Sequence, residues 1–406
     1  MGKFIGILGI VVFLLIAYLL SSDRKKIDWK LVGIGLSLQA IFALLVLKVP
    51  LGQKFFGFLS KIIDKLLAFT VEGSSFVFGN LMDTNSFGFI FAFNVLPTII
   101  FFSALMGILY HLGIMQFIIS IISKGLAKLL GTSGAETTSA VSNIFLSQNE
   151  APLIIKPYIS KMTKSELFAV MVGGMATVAG SVMAGYVAMG VSASHLLAAS
   201  VMAAPAGLVI AKILIPETEE PVTKGDFKLE TEKTATNIIE AASNGAIEGI
   251  QIAINVGGLL IAFVALIALV NYVLGFVGGF FGADFLSLNW IFGKLFSPIA
   301  FLMGIPTQDI SAAGNLLGQK VVLNEFVAYS NLSPLIASKA LSPKTIVILT
   351  YALCGFANFS SIAIQIGSIG SLAPDRRKDI AKLGMRAVLA GSLSAFMTAT
   401  IAGILF

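Results

Sequence analysis

Two Asn-Glu pairs interrupt an otherwise apolar chain, Asn149-Glu150 and Asn324-Glu325. The first lies in Ser147-Gln148-Asn149-Glu150-Ala151-Pro152, four polar residues and then a proline suited to the first turn of a new helix. The apolar segments beside it, 138–146 and 151–159, are too short to cross a bilayer alone, as are 314–322 and 326–330 around the second pair. Each pair therefore reads as the polar tip of a re-entrant hairpin. Such a tip is tolerated at membrane depth only where protein or a water-filled cavity satisfies its backbone. A carboxylate at that depth costs about 2.5–3.5 kcal/mol on insertion scales, so each Glu demands a functional reason. Pairing with a helix-end lysine as scaffolding is the plain alternative, and it weakens when two Glu stand at corresponding places. Glu248, at the start of a later helix, reads as ordinary.

The chemistry of these groups narrows the ligand. Glu150 and Glu325, with Gln148, Asn149 and Asn358 nearby in the pattern, make a site rich in acceptors. That suits polyhydroxyl or amine-bearing ligands and disfavours anions. No Arg lies near either tip, and Lys156 and Lys320 are at least a helical turn away. Phe356 and Phe359 could supply a flat apolar wall. Asn143, Ser147 and Thr177 offer side-chain oxygens, and unwound backbone at Leu146 and Val178 could add carbonyls, a set that a hard cation accepts. Ser and Thr in membrane helices also bond back to their own helix, which is the competing reading. No nucleophile-base pair and no metal-ligand cluster is visible: Cys354 is the lone cysteine, and His111 and His195 fall near expected membrane boundaries. The chain does not read as an enzyme.

The elements that must hold these residues are membrane helices. Of the 406 residues 57% are apolar and only 12% charged, about half the charged share of a soluble domain. Seven stretches carry no Asp, Glu, Lys or Arg: 4–20, 31–47, 85–123, 167–211, 249–283, 345–374 and 387–406. Each is long enough to cross at least once, and 167–211 is long enough to cross twice. A net charge of +6, carried by clusters such as Arg24-Lys25-Lys26 and Arg376-Arg377-Lys378, points to loops beside anionic lipid rather than to nucleic acid. Those clusters should face the cytoplasm, which leaves both termini outside. Residues 51–65 put Phe55, Phe56, Leu59 and Ile62 on one helical face and Lys54, Lys61, Asp64 and Lys65 on the other, the pattern of a helix lying in the interface. Residues 118–130 repeat it more weakly, and 216–236 is a charged, solvated loop.

The two halves repeat. Gly174-Met175-Ala176-Thr177-Val178-Ala179-Gly180 aligns with Gly355-Phe356-Ala357-Asn358-Phe359-Ser360-Ser361, each downstream of an Asn-Glu pair. Three expected crossings separate the units, two in 167–211 and one in 249–272. An odd number inverts the second unit, and inverted repeats with interrupted helices are a recurrent transporter architecture. The expected organisation is a scaffold over 1–130, a first repeat unit over 131–215, a loop and scaffold helix over 216–300, and a second unit over 301–406.

At these motifs the chain resembles the concentrative nucleoside transporter family, in its short bacterial form. The resemblance is carried by Gln148-Asn149-Glu150-Ala151-Pro152-Leu153, by Gly318-Gln319-Lys320 followed by Asn324-Glu325-Phe326, and by Cys354-Gly355-Phe356-Ala357-Asn358-Phe359-Ser360-Ser361. It implies an all-α polytopic membrane protein of about eight transmembrane helices, two re-entrant hairpins and interfacial helices, assembled as a homotrimer in the inner membrane. It implies nucleoside symport with sodium, or with protons as in some bacterial members, with no cofactor beyond the coupling ion. A membrane protein that binds nucleosides without transporting them is a further alternative. By resemblance, Gln148, Asn149, Glu150 and Val182 contact the nucleobase. Glu325, Asn358 and Ser361 form the ribose site beside Phe356. Asn143, Ser147, Thr177 and the carbonyls of Leu146 and Val178 resemble a sodium site.

Overall fold

The fold starts from apolar runs that can satisfy their backbone only internally, which in lipid means helices. The computed structural model describes residues 2–224, 235–283 and 285–406, and among these there is no strand. Part of the charged loop, 225–234 with Asp226, Lys228 and Glu230, lies outside the described residues. The chain opens with α1 (Gly2–Leu19), α2 (Trp29–Leu47), capped by the Asp28 side chain, and α3 (Pro50–Phe78). The last contains the amphipathic stretch but runs to 29 residues, because no proline interrupts it after Pro50. Then follow α4 (Leu96–His111) and α5 (Ile114–Leu130), joined by Gly113 at φ +77°, a left-handed corner that glycine adopts without strain.

The first hairpin is α6 (Gly134–Ser142), an irregular tip, and two single turns, Ala151–Ile154 and Lys156–Ile159. One returning helix over 151–159 was expected. Pro157 splits it, since proline has no N–H to continue the ladder. Beyond it come α7 (Lys164–Ala176) and α8 (Gly180–Ala188), then α9 (Ala193–Leu214). The second half holds α10 (Ile238–Gly279) and α11 (Leu288–Leu302). The second hairpin is α12 (Ile310–Val322) and α13 (Glu325–Ala337), followed by α14 (Pro343–Leu353), α15 (Phe359–Leu372) and α16 (Arg377–Leu405). The second arm of this hairpin extends well past the expected 326–330.

Among the described residues six helical stretches are long and apolar enough to cross a membrane: Trp29–Leu47, Phe91–His111, Lys164–Ala188, Ala193–Leu214, Ile238–Gly279 and Pro374–Leu405. Their burial divides them. Of the most apolar 18 residues in each, 94%, 89% and 83% are buried in Lys164–Ala188, Ala193–Leu214 and Pro374–Leu405, which form the core, against 6% in Ile238–Gly279. At 42 residues this α10 is about 63 Å long, twice the hydrocarbon thickness, so it must tilt steeply or project beyond the bilayer. The sequence alone indicated only a crossing at 249–272.

Hydrogen bonds sort the ends of the helices. Ser22 N donates to Leu214 O at 2.9 Å, Ala135 N to Thr223 Oγ1 at 3.1 Å, Thr163 Oγ1 to Glu217 at 2.9 Å and Ser160 Oγ to Asp375 at 3.0 Å. The feet of the first hairpin therefore sit at the end carrying the basic clusters. Asp309 and Ser342, the feet of the second, sit at the other end, where Ser333 Oγ donates to Met189 O at 2.6 Å. The hairpins enter from opposite sides, as the inverted repeat requires. At the basic end Lys212 is buried between Glu136 (2.7 Å) and Glu217 (3.3 Å), which ties α6, α9 and the loop together. Glu136 and Glu166 also close capping boxes on α6 and α7.

Candidate functional site

Both repeat helices break where the hairpin tips arrive. After α7, residues 177–179 run extended until Gly180, whose N–H bonds Phe145 O in the first tip at 2.9 Å. After α14, Cys354–Asn358 form the second break, and Asn358 caps α15 by accepting from Ser361 N at 3.0 Å. The two breaks touch: Phe356 N donates to Thr177 O at 3.2 Å. A Cβ on Gly355 would lie 2.9 Å from Met175 O and 3.0 Å from Ala176 O, so only glycine lets the backbones approach this closely.

Glu325 is held at the junction. It is 3% exposed, with Oε1 accepting from the Tyr186 hydroxyl at 3.3 Å and Oε2 from Asn358 Nδ2 at 2.9 Å. A carboxylate accepts about four hydrogen bonds, so lone pairs remain for a ligand. Tyr186 is itself fixed by stacking on Tyr329 at 4.3 Å. Across from it, Gln148 Nε2 donates to Ser361 Oγ at 3.1 Å, while Gln148 Oε1 accepts from Gln365 Nε2 at 3.2 Å. The first tip is thereby tied to the second repeat.

A cavity of about 200 Å³ lies between the tips, lined by Gln148, Asn149, Val182, Glu325, Phe356, Asn358 and Ser361. These are seven of the eight residues expected to meet substrate. Glu150 is the exception. Its carboxylate turns back to accept from Ser147 N at 2.7 Å, and it lines a larger cavity of about 670 Å³ with Tyr110, Lys156 and Asn244, toward the basic end. Phe359 is 45% exposed and lines neither cavity.

The expected cation ligands divide as well. Asn143 Oδ1 is buried and has no hydrogen-bond partner, an orphaned acceptor that a cation would satisfy. Thr177 Oγ1 donates to Gly173 O at 2.9 Å, which leaves its lone pairs free. Ser147 Oγ already accepts weakly from the N–H groups of Asn149 and Glu150, at 3.4 and 3.3 Å. Leu146 and Val178 are buried beside these groups. The oxygens fit a hard cation.

Several residues escaped the sequence reading. Tyr186 and Gln365 look like core residues until their polar atoms are seen to hold Glu325 and Gln148. Glu248 read as ordinary, yet together with Ile252 it lines both cavities. Asn244, Glu248 and Asn255 recur at intervals of four and seven on α10, one polar stripe on an apolar helix, and that spacing was the available signal.

Fold and site together define a membrane transporter built on inverted repeats. Residues 195–403 match the family described as Na+ dependent nucleoside transporter C-terminus, residues 8–81 its N-terminus, and residues 92–193 the family described as nucleoside recognition. The nucleoside permease NupC of Helicobacter pylori is 46% identical over 98% of this chain and 97% of its own. The putative nucleoside permease NupX of Escherichia coli is 45% identical over the same shares, 98% and 97%. Among solved structures, CNTnw in an inward-facing substrate-bound state superposes with a TM-score of 0.94 at 50% identity, covering 100% of this chain and 98% of the other. A variant of CNTnw in an intermediate state reaches 0.96 at 50% identity, covering 100% and 99%. The chain belongs to the concentrative nucleoside transporter family, whose relatives are transporters and permeases rather than enzymes.

Proposed function

We propose that this protein is a sodium-coupled importer of nucleosides in a bacterial inner membrane. The observation that carries the reading is Glu325, a buried carboxylate fixed by Tyr186 and Asn358 beside a cavity sized for one small ligand. Its free lone pairs suit the vicinal hydroxyls of a ribose. Gln148, Asn149 and Val182 form the opposite wall and take the base, with Phe356 beside the sugar. Asn143, Thr177 and the carbonyls of Leu146 and Val178, with Ser147, hold the cotransported sodium ion. Support for this comes from the orphaned Asn143 Oδ1 and from the family match. Because Leu146 and Ser147 open the first tip, filling this site orders Gln148 and Asn149 against the cavity.

With the basic end facing the cytoplasm, the 670 Å³ cavity is the inner vestibule, and substrate leaves past Glu248. The segment 1–130 with 216–300 serves as scaffold, while 131–215 and 301–406 form the unit that carries substrate. Homotrimer formation is supported by the apolar face of α10, where Ile247, Ile254 and Ile261 are 65%, 63% and 76% exposed. One sodium at a potential of about 100 mV supplies about 2.3 kcal/mol, a fiftyfold accumulation.

The test is uptake of radiolabelled uridine into proteoliposomes under an inward sodium gradient at equal pH. Sodium should drive accumulation above the outside concentration. Uptake indifferent to sodium but driven by an imposed pH gradient overturns the coupling ion. Binding without uptake overturns transport.

A further inference from the structure

Lys320 lies on α12, the first arm of the second hairpin, and is 0% exposed. Among the described residues its ammonium has no hydrogen-bond partner, and it sits 5.8 Å above the Phe396 ring. An ammonium carries three donors, and burying it with none of them used is costly. Lys212, the other lysine buried among the described residues, is treated quite differently: it touches Glu136, Glu217 and Ser165 at 2.7, 3.3 and 2.9 Å. Where this fold uses a lysine to tie elements together, it surrounds the lysine with acceptors.

Glu325, the first residue of α13, stands just across the hairpin tip from Lys320 in the last turn of α12. The two are in no ion-pair contact, since both Glu325 oxygens are turned to Tyr186 and Asn358. A direct salt bridge would occupy the lone pairs that face the cavity. At a distance, through a medium of low dielectric, the ammonium still balances the charge. The first repeat shows the reverse arrangement, a buried acceptor without a donor at Asn143 Oδ1.

We propose that Lys320 is a fixed counter-charge, a positioning residue that stabilises the Glu325 carboxylate from a distance and so leaves its cavity-facing oxygens to the ligand. The other ionisable side chains around this carboxylate are Tyr186, Tyr329 and Cys354, with Glu248 across the cavity. None of them can supply a positive charge.

The experiment is a cycle of full-length variants in detergent, Lys320→Met, Glu325→Gln and the double variant, read by thermal midpoint and by uridine binding. Lys320→Met should lower the midpoint and weaken uridine at least tenfold, because it leaves a buried charge unbalanced. In the Glu325→Gln background Lys320→Met should cost nothing, so that the double variant melts no lower than Glu325→Gln alone. If Lys320 only fills space, its loss costs the same in both backgrounds, and that additivity overturns the proposal. If Lys320→Met does not fold, recovery of folding in the double variant supports the counter-charge, and failure of both overturns it. The proposal rests on Glu325 as a ligand group only for its binding arm. Normal uridine binding by Glu325→Gln would sink that assignment while the midpoint cycle still decides the charge balance.

Discussion

Glu325→Gln is the sharpest probe of the site. The substitution keeps the shape and removes the charge. Asn358 Nδ2 can still donate, to the Gln oxygen, and the Tyr186 hydroxyl can rotate to accept from the new amide, so both bonds now at 2.9 and 3.3 Å have replacements. The fold should survive, but the thermal midpoint should fall, because the buried Lys320 ammonium loses its counter-charge. What is lost is the anionic acceptor facing the cavity. A hydrogen bond to a charged group contributes about 1.5–3 kcal/mol, so uridine binding should weaken about 10- to 150-fold. Calorimetric titration with uridine, 2′-deoxyuridine and 3′-deoxyuridine measures this directly. The parent should discriminate against at least one deoxy compound, and the variant should not. If the variant binds uridine within threefold of the parent, or discriminates as the parent does, Glu325 does not hold the sugar.

Three further outcomes follow from the geometry. Gly355→Ala places a methyl group 2.9–3.0 Å from two carbonyl oxygens of the facing break, and should cost about 1–3 kcal/mol of stability. Gly367→Ala, where the added carbon meets nothing within 4 Å, is the control and should not lower the thermal midpoint. Asn143→Ala should raise the sodium concentration for half-maximal uptake at least tenfold while leaving uridine affinity at saturating sodium unchanged; equal sodium curves would remove Asn143 from the ion site. At the foot of the second hairpin, burial pushes the Asp309 carboxyl up, but hydrogen bonds from Thr345 Oγ1 (2.6 Å) and Ser342 (3.0 Å) outweigh it and hold the group below the usual carboxylate range. A depressed carboxylate stabilises the fold at neutral pH, and that contribution disappears as pH falls through its lowered value. Asp309→Asn should therefore lower the midpoint at pH 7, and the gap from the parent should close below about pH 4. A gap that does not narrow at all as pH falls below that range would contradict this.

Much of the architecture was legible because lipid leaves a sequence few choices. Charge-free runs must be helices, and a Glu inside one must have a partner, so the two Asn-Glu tips, the inverted units and the unwound backbone at Val178 could be read from residue type and order. The recognised family motifs covered nine of the residues that line the small cavity. Local detail was less legible. Pro157 divides the arm at 151–159, and α10 runs as one 42-residue helix, because hydropathy marks where a helix can be buried but not where it must stop.

What the sequence by itself determined is the set of groups that lipid cannot tolerate unpartnered. Only the tertiary structure decided which partner each one takes. Glu150 and Glu325 each follow an asparagine in the chain, yet one folds back on Ser147 and faces the wide vestibule while the other is gripped by Tyr186 and Asn358. Glu248 becomes a wall of both cavities only because α10 crosses the two repeats there. Hydrogen bonds reach about 3 Å and depend on direction, whereas the partners of Glu325 and Gln148 stand 33 to 217 positions apart. Local spacing carries no information about such pairs, and packing alone brings them into range.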